Sequence, residues 1–294
     1  VISKFHTLNK RLEQNERDET ISEAERQTIT RHIKTEQEAM GGLDRYQKAS
    51  IYGAKSSKFV CADWVVPLLR KQKASAEKHL RILDVGAIDN QYQGHEDWLD
   101  AVPIDLHGGQ HESVLQVDFF DYAHEYCSGT DLSVTNSSSL FSTTTTTRQL
   151  PRPFDAIVMS LVLNFQGDPR KRGDMLALAA DPRLLKIQQG GMLFVAVPSA
   201  SLENSRYCDL DRFVEVVTNP LFRFELVEQK KSSKLILLAF RRAEIGNFKK
   251  RCCYNASKKT FDYRDHEMKR LHPAKPGTKR NNFAVILKSS HNRT

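Results

Sequence analysis

Three apolar runs of this chain each stop at a carboxylate or a glycine: RILDVGAIDN from Arg81, VPIDLHGG from Val102 and VLQVDFFDY from Val114. Gly86 and Asp105 stand nineteen residues apart, and Asp105 and Asp118 thirteen. A run ending in glycine, followed about twenty residues on by a run ending in Asp, is how a doubly wound sheet presents a nucleoside pocket. The glycine lets backbone approach the ligand, and the second acid takes the ribose hydroxyls.

The residues after Gly86 decide which nucleoside fits. A dinucleotide fold needs G-x-G-x-x-G so that a pyrophosphate can reach a helix N-terminus. Here Gly86 is followed by Ala87, Ile88, Asp89 and Asn90, so only the first glycine is present. A carboxylate at Asp89 opposes a diphosphate but does no harm beside a sulfonium or ammonium group; Asp89 can equally cap a following helix. Asp118 can accept from an adenine amino group while Phe119 packs on the ring. The expected cofactor is therefore S-adenosylmethionine, held by Asp84, Gly86, Asp105, Asp118 and Phe119. The plain alternative is an ordinary α/β sheet whose strand ends happen to be acidic.

The elements that must position these residues follow from patterning. Strands are expected at about Arg81–Val85, Val102–Asp105 and Val114–Asp118, with QGHEDWL as a short helix between the first two. FDAIVMSLVLNF, after Pro153, reads as a fully buried parallel strand. The segment from Asp168 to Gly191 is a helix with an early basic cluster and a Gly-Gly stop. MLFVAVPSA is a fifth strand, Leu202–Val217 a helix, and LFRFELVEQKKSSKLILLAFRR an antiparallel hairpin. FAVILK from Phe283 suggests one further strand. Ahead of the sheet, Leu8–Met40 is charged and lacks Gly and Pro, as expected of one or two amphipathic helices. GLDRYQKASIYGAKSS reads as a turn-rich connector, and Phe59–Lys71 as a helix packing on the sheet. NSSSLFSTTTTTRQLPRP is low complexity and is expected to be a disordered insert, about 128–152.

Composition sets the frame. The chain has 294 residues, 39% hydrophobic, and a formal net charge of +8. From Lys230 to Thr294 there are eighteen Lys/Arg against four Asp/Glu, a balance of +14, whereas the remainder is acidic at −6. So polarised a molecule favours a polyanion on one side, although a solvated tail would share the composition. Five cysteines form no C-x-x-C pair and ten histidines no metal-ligand spacing, so reduced intracellular thiols and no metal are expected. No run of eighteen apolar residues and no signal peptide is apparent, so the chain is expected to be soluble with no membrane partner. It begins at Val1 without methionine, so further sequence ahead of it is expected. Nothing in the sequence addresses oligomeric state; a monomer is the default expectation.

GGLDRYQKASIYG, ILDVGA, IDLH, VDFF, SLVLNFQGDPRKRGDML and VPSASLENSRY together resemble the fungal nucleolar 25S rRNA adenine-N1 methyltransferase family, most clearly over Leu43–Phe240. The resemblance implies an α/β, class I (Rossmann-like) fold: a seven-stranded mixed sheet with helices on both faces, plus helical N-terminal and basic C-terminal extensions. The expected division is 1–75 helical extension, 76–242 S-adenosylmethionine-binding domain and 243–294 basic extension packing on that domain. It further implies ribosome biogenesis in the nucleus and nucleolus, with Gly86 and Asp105 at the donor site. A metazoan relative acts as a methyl-donor sensor, so a non-catalytic sensor or scaffold is the alternative; a dinucleotide oxidoreductase is a distant third.

Adenine N1 is a neutral lone pair, so methylating it needs no prior deprotonation. The site must chiefly align the reactants and favour a cationic product. At the end of strand four, Ser160, Asn164 and Phe165 would face the methyl: Asn164 bonding the exocyclic amine or N7, Phe165 stacking the extruded base. Asn164 as a helix cap and Phe165 as core are the alternatives. Arg170, Lys171 and Arg172 would hold phosphates beside the target, with the basic tail as a second RNA surface. The expected partner is large-subunit rRNA or a pre-ribosomal particle.

Overall fold

The structure is a computed structural model that describes residues 1–56, 59–73, 79–107, 112–129, 152–185, 190–243 and 280–287. It separates into two compact units, Val1–Val60 with Phe165–Asp168, and Cys61–Asn164 with Pro169–Thr294.

The first unit is built on three helices: α1 (Ile2–Arg17), α2 (Glu23–Ala39) and α3 (Gly42–Ser56). Ser22 and Glu25 form a reciprocal capping box that starts α2. Phe5, Leu8 and Ile33 are buried, and Phe5 stacks on Tyr46 of α3 at 4.7 Å between ring centroids. The connector expected from Gly42 is thus a helix. Its glycines and polar residues disguise it, and Gly41 at φ +94° makes the tight turn ahead of it.

The second unit carries one seven-stranded sheet in the order β3-β2-β1-β4-β5-β7-β6. Its strands are β1 (Leu80–Val85), β2 (Leu99–Asp105), β3 (Leu115–Gln116), β4 (Ala156–Ser160), β5 (Met192–Pro198), β6 (Phe224–Lys231) and β7 (Leu235–Arg242). β3, β2, β1, β4 and β5 are mutually parallel, and β7 is antiparallel to both β5 and β6. This is the class I methyltransferase topology that was expected. β4 and β5 are buried along almost their full length, as a sheet covered on both faces requires.

Helix α4 (Cys61–Lys73) lies on the sheet through Trp64, whose ring meets Phe194 of β5 edge-on at 5.3 Å and whose Nε1 donates to Glu228 of β6. Among the described residues, the unit's other helices are α5 (Phe119–Cys127), α6 (Pro169–Ala179), α7 (Ser199–Glu203) and α8 (Leu210–Val217). α5 was not anticipated; Tyr122, Ala123 and Tyr126 bury its inner face. QGHEDWL forms turns rather than a helix, held by Gly94 N–H donating to Glu96. Leu202–Val217 splits in two at Asn204–Asp209. The sheet strand expected from Phe283 is instead an extended strap across α6 and α7, described below. The low-complexity insert and most of the basic extension lie outside the described residues.

Candidate functional site

In an open α/β sheet, ligands bind beyond the carboxyl ends of the strands where the strand order reverses. That point falls between β1 and β4, which pair in register from Ile82↔Ala156 to Val85↔Met159. Gly86 leaves β1 at φ +77°, in the left-handed region, and its N–H donates to Ile104 O at 2.8 Å. A Cβ at Gly86 would lie 3.2 Å from Val162 Cγ2, so the loops leaving β1 and β4 are in contact here. Across the reversal, Leu161 also holds φ at 60°, a conformation that costs an L-residue about 1–3 kcal/mol and tends to collect at functional sites.

Beneath Gly86 lies a group of buried polar side chains. Asp84 is 3% exposed, and burial pushes its carboxyl up to about 7. Cys61, the first residue of α4, is pushed up to about 12 by burial and by the Asp84 charge, against a hydrogen bond with Ser160. Tyr92 is raised well above the ordinary phenol range by burial, then by Asp84 and Cys61, and its buried Oη has no hydrogen-bond partner among the described residues. The loop that delivers Tyr92 is pinned by Asn90 Oδ1, which accepts from Tyr92 N–H, and by Gln91 Oε1, which accepts from Cys61 N–H. Desolvated so thoroughly, Asp84 favours a cation beside it. Sequence reasoning did not single out Tyr92 and Cys61 as neighbours of Asp84. No periodicity marks Tyr92, and only the tertiary packing of α4 brings Cys61 to β1.

Asp105 ends β2 half-buried, its carboxyl raised by burial against the His107 N–H that donates to Oδ1 at 2.8 Å. Asp118 and Phe119 stand at the start of α5. Asp118 is the N-cap of α5, its Oδ1 accepting from Phe120 N–H at 2.7 Å. Phe119 is buried in the main core and has little face left for an adenine ring. Asp89 begins no helix; its Oδ1 accepts from Asn90 N–H within a bend.

Ser160 ends β4 and bonds Cys61 beside Asp84. Asn164 follows β4, half-buried, with a buried Oδ1 that has no hydrogen-bond partner among the described residues. Such an acceptor is expensive to leave unmade, on the order of 1–3 kcal/mol, unless a ligand supplies the donor. Phe165 is 40% exposed and is grouped with the helical unit, so it is not core.

Of the three cations expected on phosphate, Lys171 is exposed and Arg170 half-buried on the first turn of α6. Arg172 is excluded from that role. It is 3% exposed, its Nε donates to Leu163 O at 3.0 Å, and its Nη1 donates to Ala284 O at 2.6 Å. The signal was present: Arg172 lies on one helical face with Met175, Leu176 and Ala179, all buried. Among the described residues, no cluster of His, Cys, Asp and Glu could hold a metal ion.

A sequence model of the family described as Bmt2, 25S rRNA (adenine(2142)-N(1))-methyltransferase, matches residues 31–138 and 141–285. The Saccharomyces cerevisiae protein named 25S rRNA (adenine(2142)-N(1))-methyltransferase is 28% identical over 192 residues, 62% of this chain and 46% of that protein. The match therefore spans a little under half of that relative's length. Among solved structures, the N-methyltransferase NodS from Bradyrhizobium japonicum, in complex with S-adenosyl-L-homocysteine, is similar at 15% identity and a TM-score of 0.36, covering 61% of this chain and 85% of that one. An S-adenosylmethionine-dependent methyltransferase from Clostridium acetobutylicum is similar at 11% identity and a TM-score of 0.42, covering 67% and 99%. Likenesses this distant carry no functional weight.

Proposed function

This chain belongs to the Bmt2 family of 25S rRNA (adenine(2142)-N(1))-methyltransferases, and we propose that it methylates N1 of an adenine in large-subunit rRNA with S-adenosylmethionine as donor. The observation that carries the reading is the contact between the loops leaving β1 and β4. That contact, Gly86 against Val162, supports reading Asp84–Gly86 as the donor cradle and the loop from Val162 to Asn164, with its buried acceptor, as the substrate edge.

The residues present fit the donor. Gly86 admits it at a positive φ, half-buried Asp105 offers its carboxylate to ribose hydroxyls, and Asp84 with Tyr92 favours its ammonium group. When bound, S-adenosylmethionine supplies an electrophilic methyl group on a sulfonium. Asn164 Oδ1 accepts from the exocyclic amine of the target adenine, which fixes the ring edge on which N1 lies. No general base is needed, and the shifts of Asp84, Cys61 and Tyr92 all follow burial rather than tuning toward proton transfer.

On the RNA side, Lys171 and Arg170 stand just beyond the β4 exit, and the +14 balance from Lys230 onward supports a polyanionic partner. Action on rRNA or a pre-ribosomal particle in the nucleolus is part of the same proposal. To test it, the protein is incubated with labelled donor and large-subunit rRNA lacking the modification. The expected outcome is one labelled adenine, seen as a stop to reverse transcription because N1 lies on the pairing edge. Donor binding without transfer to free RNA or to pre-ribosomal particles would favour a sensor instead.

A further inference from the structure

We propose that Arg172, with the strap of residues 280–287, is a positioning device for the substrate edge: it ties the strap to the backbone that carries Asn164. The inference rests on the functional reading above, because Asn164 matters only if that edge meets a substrate.

The strap is fastened at both ends. At its start, Asn281 N–H donates to Asn204 O and Arg206 N–H donates to Asn281 O, bridging it to the residues after α7. Ser205 Oγ donates to Phe283 O at 2.6 Å and is itself 1% exposed. At its far end, Ile286 N–H donates to Pro169 O at 2.9 Å, at the first residue of α6. Phe283, Ala284 and Ile286 are buried.

Arg172 closes the gap between strap and edge. Its Nη1 takes Ala284 O on the strap, its Nε takes Leu163 O, one residue before Asn164, and its guanidinium lies over the Phe283 ring at 4.5 Å. One rigid planar cation thus holds two backbone carbonyls from segments 121 residues apart in sequence. A second observation is independent of the arginine. A Cβ at Gly173 would lie 1.9 Å from Ile286 O, so α6 carries a glycine where the strap backbone passes. A glycine inside a helix otherwise lowers its stability by about 1 kcal/mol relative to alanine. The helix accepts that loss at the position the strap requires.

Fixing the strap thereby fixes the Leu163 carbonyl, and with it the path of the loop that carries Asn164 beyond β4. A displacement of about 1 Å at such an edge can lower turnover by ~100-fold while leaving substrate affinity intact. Lysine at 172 keeps the charge but cannot span both carbonyls or stack on Phe283 as a plane.

The test uses Arg172→Lys and Gly173→Ala in the full chain. Gly173→Ala leaves Arg172 in place and favours the helix, so it remains informative if the arginine variant folds poorly. Both variants are expected to show faster amide exchange over 280–287 and over 161–165 without RNA present. Both should also lose at least ~10-fold in kcat, with KM for RNA and donor affinity within about twofold. If the strap exchanges faster while 161–165 does not change, or if kcat is unchanged well below the melting temperature, the inference is overturned. If KM for RNA rises and the salt dependence of binding falls, Arg172 is a phosphate contact and the inference is likewise wrong. If the unaltered protein itself transfers no methyl to RNA, the functional reading fails, and the exchange coupling reports separately on the strap.

Discussion

Asp84→Asn isolates the charge that the pocket keeps in waiting. Buried beneath Gly86, the carboxyl is pushed up to about 7 from an ordinary 3.8. The folded ligand-free protein therefore holds a proton that the unfolded chain has lost across that interval. Stability contributed by Asp84 is full below the unfolded value, falls as pH rises from about 4 to 7, and is constant above. Three units correspond to ~4 kcal/mol at most. An amide is neutral throughout, so the variant loses this slope. Allowing roughly 1–3 kcal/mol for an unpaired amide group, the ligand-free variant should be more stable than the parent at pH 8 by about 1–3 kcal/mol. At pH 4 that advantage should vanish or reverse. The donor's ammonium works the other way. It pairs with the ionised carboxylate, so donor binding near pH 6 should release up to ~one proton in the parent and none in the variant, and the variant should lose about 2–5 kcal/mol of donor affinity. Denaturant melts from pH 4 to 8 measure the first effect; calorimetry in buffers of different ionisation enthalpy measures the second. If the parent-minus-variant stability difference is flat with pH and the variant binds donor normally, Asp84 is not the cation site.

Asp105→Ala should abolish detectable donor binding in calorimetry, because it removes the carboxylate at the end of β2 together with the His107 turn that it caps; Asp105→Asn, which retains the turn acceptor, should lose the ribose contact with a smaller change in melting temperature. Gly86→Ala combines a strained φ of +77° with a contact 3.2 Å from Val162, so a loss of about 1–3 kcal/mol in stability and a weakened donor site are expected in thermal melts and titration. Lys171→Glu, on an exposed first turn, should weaken RNA binding and lower the slope of log affinity against log salt by about 1 or more while donor affinity holds.

The main elements of the sheet were legible because their signals are local. Buried strands such as Ala156–Ser160 and Met192–Pro198 are continuous apolar runs, and the hairpin at Phe224–Arg242 turns on Ser232 and Ser233. The acids and glycine at strand ends were legible for the same reason: a strand's carboxyl end can be read without knowing its neighbours. Helices α3 and α5 were hidden. Gly42 and Gly53 weaken the helical pattern of one, and the other begins directly after a strand, so that Asp118 reads as a strand end although it serves as a cap. FAVILK has strand composition but lies against α6 and the residues after α7, and its carbonyls go to Arg172 and Ser205.

The sequence by itself determined the main strands of the sheet, the glycine and acid at the ends of β1 and β2, Gly86 and Asp105, and the imbalance of charge, since each depends on residue types within a few positions of one another. Only the tertiary structure decided which polar groups are buried and what they face. Burial turned Arg172 from a presumed phosphate contact into a bond between two distant carbonyls, and it raised Asp84 by taking away its water. Desolvation depends on what the rest of the chain packs over a side chain, and a residue's own neighbours in sequence do not specify that.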